Sequence, residues 1–196
     1  DAFEAKFGIK PVEGYGATEL SPVGAMSVAD VAVGGVPQVG SKPGSVGHPV
    51  PGAAARIVDP DTFEVLSGDT EGLLQIKGPN VMLGYLGQAE KSEEVLRDGW
   101  YCTGDIARID SDGFVFLLDR LSRYSKIGGE MVPHMAVEDV LLGALKSIEP
   151  CVVVTAAPDE RKGEQLVVCY TEAAGDAAGL SEIIKASSLP NLWKPK

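Results

Sequence analysis

Apolar positions recur along this chain in two rhythms, one for strands and one for helices. Residues 53–58 and 72–77 are short apolar runs bounded by turn-formers, which predicts strands around a turn near Asp59-Pro60-Asp61. Residues 100–109 and 113–118 predict a hairpin closed by Asp110-Ser111-Asp112-Gly113. The stretch 34–52 is dense in turn-formers and has little period, so it reads as a long loop ending in a turn. Residues 2–7 read as helical, and residues 88–96 as a short helix with charges outward and Val95 and Leu96 inward.

The pattern changes at Asp119-Arg120-Leu121-Ser122-Arg123, where charge interrupts apolar strands without a proline. A boundary there gives units 1–121 and 122–196. In the second, 124–127 and 130–132 flank Gly128-Gly129 as a tight hairpin. Pro133 suits the first turn of a helix. Val137, Val140, Leu141, Ala144 and Leu145 give that helix one apolar face. Strands at 151–156 and 165–171 and a helix at 178–187 complete a βαββα order, which predicts an open sheet with helices on one face.

Composition narrows the function. At 196 residues and 44% apolar content the chain is globular rather than disordered. No apolar run is long enough to span a bilayer. A net charge of −11 argues against nucleic acid and anionic membranes as partners, since both need a basic face. Cys102, Cys151 and Cys169 are odd in number and far apart, which points to a reducing, cytoplasmic setting rather than a disulfide framework or a zinc site. His48 and His134 are too isolated to build a metal cluster. The chain opens at Asp1 inside a helical run, as an excised piece of a longer protein would.

Two motifs carry the chemistry. Gly14-Tyr15-Gly16-Ala17-Thr18-Glu19 sets a flat ring between glycines, then a hydroxyl, then a carboxylate. Those groups offer a face for a purine, close main-chain approach, a phosphate hydrogen bond and a ligand for a hard cation. Trp100-Tyr101-Cys102-Thr103-Gly104-Asp105 ends in a carboxylate that can accept from both ribose hydroxyls. Taken singly, each also reads as an ordinary strand and turn with a solvated acid.

Together these motifs resemble the adenylate-forming superfamily: acyl-CoA synthetases, luciferases and peptide-synthetase adenylation domains. Residues 119–134 and Gly78-Pro79-Asn80-Val81-Met82-Leu83-Gly84-Tyr85 look in particular like bacterial acyl–acyl-carrier-protein synthetases and 2-acylglycerophosphoethanolamine acyltransferases. The resemblance covers only the C-terminal part of such enzymes. It implies an α+β fold, with a distorted antiparallel β-barrel-like subdomain followed by a small open-sheet α/β domain. It also implies an enzyme that activates a fatty acid or other carboxylate with ATP and Mg²⁺, then passes the acyl group to a thiol. The acceptor would be CoA or the phosphopantetheine of acyl carrier protein. Such a parent would be cytoplasmic or held at the inner membrane by other domains.

Within that resemblance Tyr15 stacks on adenine, with Gly14 and Gly16 admitting it. Thr18 bonds the α-phosphate and Glu19 holds Mg²⁺. Asp105 and Arg120 bind the ribose. Ser122 takes the hinge position, where many relatives carry Asp or Lys, so a charge-based hinge is not implied. Gly128 and Gly129 form the loop that meets the acyl-adenylate during thiol transfer. Lys126 enters the site in the second half-reaction. Met82 and Tyr85 fall at helical spacing and read as packing. The family's Ser/Thr/Gly-rich phosphate loop and its Gly-Lys motif do not occur in this sequence, and Lys194 and Lys196 do not match the latter. The isolated chain is therefore expected to fold but not turn over. A non-catalytic adenylate binder or carrier-protein docking module stays open beside the ligase reading.

Overall fold

The structure is a computed structural model describing residues 2–147 and 149–195. Asp1 and Lys196, where the sequence suggested a helical start and an unmatched lysine, lie outside the described residues. The chain divides into two compact units, Asp1–Leu118 and Asp119–Lys196. The sequence placed the division between 121 and 122.

The first unit begins with α1 (Ala2–Phe7), followed by β1 (Gly14–Gly16), β2 (Val23–Met26), β3 (Val31–Val33), β4 (Val36–Gln38) and β5 (His48–Pro49). It continues with β6 (Ala54–Val58), β7 (Gly72–Lys77), α2 (Ala89–Val95), β8 (Leu96–Arg97), β9 (Trp100–Ile109) and β10 (Val115–Arg120), whose end crosses the division. A five-stranded sheet runs β10-β9-β7-β6 with β8 on β9, and curls into a half barrel. A three-stranded sheet runs β1-β2-β5, and β3 pairs with β4. Residues 34–52 are thus not a plain loop. Gly34 and Gly35 both have positive φ and close the β3-β4 hairpin, and His48 pairs with Met26. The core draws Leu20, Ala25, Ile57, Leu74, Ile76 and Tyr101 into one apolar cluster. Leu74 and Ile76 alternate on β7 with Gln75, which the opposite face buries by bonding Arg56 and Cys102.

The second unit holds β11 (Tyr124–Ile127), β12 (Glu130–Pro133), α3 (His134–Leu145), β13 (Val152–Asp159), β14 (Gly163–Tyr170) and α4 (Ala177–Ala186). Its sheet runs β12-β11-β14-β13, and α3 packs on β13 and α4. Pro133 ends β12 and caps α3 rather than opening it. The buried face of α3 is His134, Val137, Glu138 and Leu141, whereas Ala144 is exposed. Two polar groups occupy inner positions because each has partners. Ser125 and His134 Nε2 are hydrogen-bonded at 2.6 Å, and Glu138 Oε1 accepts from the Val154 N–H at 2.7 Å while Oε2 meets Arg123. Burial, then Arg123, pushes His134 below its ordinary value, so it sits neutral against Ser125.

Candidate active site

Strand β9 presents Asp105 from a tightly tied segment. Thr103 Oγ1 donates to the Leu74 carbonyl at 2.9 Å and accepts from the Asp105 N–H at 3.1 Å. Asp105 is only 8% exposed, so its carboxylate needs donors. One comes from far along the chain: the Tyr15 hydroxyl donates to Asp105 Oδ2 at 2.5 Å. Burial, then the hydrogen bond and charge of Asp105, pushes the Tyr15 phenol well above its ordinary range. Tyr15 is therefore a neutral donor at any physiological pH. The structure brings together two of the predicted site residues that the sequence separates by ninety positions.

Tyr15 also lines an open groove of about 570 Å³ with Gly14, Gly16, Ala17, Thr18 and Val23. That size falls within the range of small-molecule sites. Gly16 has an internal reason to be glycine: a Cβ there would sit 1.9 Å from the Pro22 carbonyl oxygen, where β1 bulges against β2. At Gly14 a Cβ would meet only ordinary contacts.

Thr18 and Glu19 lie in a single 3-10 turn, Thr18–Leu20, anchored by the fully buried Leu20. Thr18 is exposed and Glu19 half-buried. Glu19 Oε1 accepts from the Tyr85 hydroxyl at 2.7 Å. This corrects the reading of Tyr85 as packing; Met82, its neighbour in the same motif, does pack on the core cluster. No local pattern signals the Tyr85 contact, because its partner is sixty-six positions away. Among the described residues no group of three or more His, Cys, Asp or Glu could hold a metal. A single oriented carboxylate instead suits magnesium, which takes one or two carboxylates and completes its shell with phosphates and water.

The other predicted residues lie in the second unit. Arg120 is exposed, and its N–H donates to Asp119 Oδ1 at 2.8 Å. Ser122 is exposed in the 3-10 turn Leu121–Arg123. Lys126 is exposed on β11, its N–H held by Glu164 Oε2 at 2.6 Å. Gly128 and Gly129 take φ of 58° and 92° at the tip of the β11-β12 hairpin. Two consecutive positive φ values are what a tight hairpin turn of this hand requires, so the turn alone accounts for both glycines. Around Gly129 the space is open. Lys194 closes the end of α4, its Nζ donating to the carbonyls of Ser187 and Lys185. Its role is structural.

The half-barrel and the following small open sheet form the C-terminal portion of the adenylate-forming enzyme fold. Along 99% of its length the chain superimposes on 37% of ATP-bound MatB from Rhodopseudomonas palustris, with a TM-score of 0.73 and 29% identity. It also superimposes on 38% of o-succinylbenzoate CoA synthetase from Bacillus subtilis in complex with its acyl-adenylate intermediate, at 0.70 and 26%. Residues 1–86 match the AMP-binding enzyme family. Among curated relatives, a feruloyl-CoA synthase from an Amycolatopsis species is 40% identical over 80% of this chain and 30% of its own. A long-chain-fatty-acid–CoA ligase from Bacillus subtilis (strain 168) is 36% identical over 92% and 30%. The chain spans about a quarter to a third of the length of such relatives.

Proposed function

We propose that this chain is part of an AMP-forming acid–thiol ligase, and that its first unit holds the adenosine half of ATP and of the acyl-adenylate. The observation that carries this reading is the Tyr15–Asp105 hydrogen bond, which joins an aromatic face and a ribose-type carboxylate beside an open groove. In the first half-reaction a substrate carboxylate oxygen attacks the α-phosphorus of ATP. The bond to the bridging oxygen breaks, and pyrophosphate leaves with its electron pair. In the second a thiol sulfur attacks the acyl carbon, the acyl–oxygen bond breaks, AMP leaves and the thiol proton passes to solvent.

The Tyr15 ring offers a face to adenine and the main chain at Gly14 and Gly16 lies along it. Thr18 donates to the α-phosphate, and Asp105 accepts from the ribose hydroxyls; for Arg120 the ribose role rests on the resemblance alone. Glu19 would hold magnesium, which would supply charge neutralisation for the phosphates. Lys126 and the Gly128-Gly129 hairpin serve thiol transfer, with the hinge at Ser122. The substrate is a fatty or aryl carboxylate. CoA is the favoured acceptor, because three of the proteins named above are CoA synthetases or CoA ligases by name; the pantetheine of a carrier protein, suggested by residues 119–134, is the alternative. The three cysteines are unpaired, which agrees with a cytoplasmic setting. The isolated chain binds nucleotide without turning over.

Titrating AMP against the isotope-labelled chain tests this reading by nuclear magnetic resonance. AMP should shift amides at 14–19 and 103–105 in a saturable way, and Asp105→Ala should abolish the shift. A spectrum unmoved by AMP refutes it.

A further inference from the structure

Packing does not explain why Tyr85 carries a hydroxyl. Its ring is not among the groups packed on the core cluster, and its oxygen is committed to Glu19 Oε1 at 2.7 Å. The main chain that delivers this hydroxyl is itself fixed. The Tyr85 N–H donates to Ser92 Oγ at 2.8 Å, and Ser92 Oγ donates to the Gln88 carbonyl at 2.8 Å across one turn of α2. Lys91 Nζ lies 5.0 Å from the centre of the Tyr85 ring. Two more groups of the 78–85 segment grip the backbone around Glu19. Met82 N–H donates to the Glu19 carbonyl at 2.8 Å. Asn80 Nδ2 donates to the carbonyls of Val23 at 2.8 Å and Leu20 at 3.2 Å. One segment thus sets both the backbone and the side chain of the residue that the proposed function makes a cation ligand.

We propose that Tyr85 is a positioning residue for Glu19. Its hydroxyl holds one carboxylate oxygen so that the carboxylate meets magnesium and the nucleotide phosphates in a single orientation. The inference rests on the reading of Glu19 as the magnesium ligand. Magnesium demands near-ideal octahedral geometry, so a carboxylate swinging about its own torsions is a poor ligand. Hydrogen-bond partners of ligating carboxylates orient them, and losing one typically weakens metal binding by about 10–100-fold. A purely structural staple would instead change stability and leave metal affinity alone.

The test uses the full-length protein with ATP and Mn²⁺ as the probe, with bound metal read by electron paramagnetic resonance rather than by turnover. Tyr85→Phe keeps the ring and its contact with Lys91. The variant should raise the Mn²⁺ dissociation constant of the ATP complex by about 10–100-fold, with metal-free ATP affinity unchanged. Glu19→Gln is the control. If Glu19→Gln weakens Mn²⁺ binding and Tyr85→Phe does not, the inference is overturned and the reading of Glu19 survives. If Glu19→Gln also leaves Mn²⁺ bound, the reading of Glu19 fails and the inference falls with it. Equal loss of metal-free ATP affinity in Tyr85→Phe overturns it too, because the turn itself would then have moved.

Discussion

Replacing Tyr15 with phenylalanine removes one oxygen and keeps the ring. That oxygen donates to Asp105 Oδ2 at 2.5 Å, and Asp105 is only 8% exposed, so water replaces the lost donor poorly. A hydrogen bond to a charged group contributes about 1.5–3 kcal/mol. Tyr15 itself is half-buried, which favours the lower end, about 1.5–2 kcal/mol. For a chain of this size each kcal/mol moves the melting temperature by about 2–4 °C, so a fall of roughly 3–8 °C is expected. The pH dependence is more diagnostic. The folded state raises the Tyr15 pKa above its ordinary value of about 10, so it binds this proton more tightly than the unfolded chain. The stabilisation is therefore fully present below about pH 10 and is lost as pH rises toward the folded value. The Tyr15→Phe variant has nothing to titrate at this position. Calorimetric melts of both proteins from neutral pH into the alkaline range should show a constant gap in melting temperature that closes above about pH 10. A gap that stays constant throughout, or no gap at neutral pH, would refute the coupling of Tyr15 to Asp105.

In the second unit, Glu138→Ala should cost about 2–4 kcal/mol in urea unfolding, because it strips the Val154 N–H and Arg123 of a buried acceptor; a loss below about 1 kcal/mol would mean water replaces it. On the proposed thiol-transfer role, Gly129→Leu in the full-length protein should spare pyrophosphate release and block thioester formation, since the tip around Gly129 is open and a bulky side chain would fill it. Gly129→Asn, which tolerates positive φ, separates backbone strain from bulk, and equal loss of both half-reactions in the leucine variant would leave only the hairpin-turn role.

The strands of the half-barrel were legible because β6, β7 and β9 are runs of apolar residues cut by clear turn-formers. The Gly128-Gly129 hairpin was legible because its turn is encoded locally. Most of the pieces that escaped depend on partners elsewhere in the fold. His48–Pro49 is a strand only because Met26 and Ala25 lie beside it; Val36–Gln38 pairs locally with Val31–Val33, and escaped because both strands are three residues long and exposed, with no buried face to pattern them. The apolar face assigned to α3 omitted His134 and Glu138, since burial of a polar side chain is decided by its partners, here Ser125, Arg123 and the Val154 amide. At the candidate site, Tyr15, Glu19 and Asp105 stood out by chemistry, yet nothing in their spacing pairs Tyr15 with Asp105 or Tyr85 with Glu19. Sequence periodicity reports faces of elements, whereas these contacts join a turn or short strand to groups at least sixty-six positions away.

The identity of those partners bears on what the carboxylates can do. Some structural carboxylates of this chain meet cations: Lys42 Nζ sits 2.6 Å from both Asp110 and Asp112, and Arg123 pairs with Glu138. Asp105 and Glu19 each accept from a phenol. A lysine or arginine fixes a carboxylate but also cancels its charge, and would compete with a bound magnesium ion or repel it. A neutral hydroxyl fixes the same torsions and leaves the charge for the ligand. For Tyr15 the surroundings enforce this neutrality, because burial and the Asp105 charge both oppose loss of its proton. A phenol orients a carboxylate without adding a positive charge of its own, which suits the roles proposed for Asp105 as a ribose acceptor and Glu19 as a cation ligand.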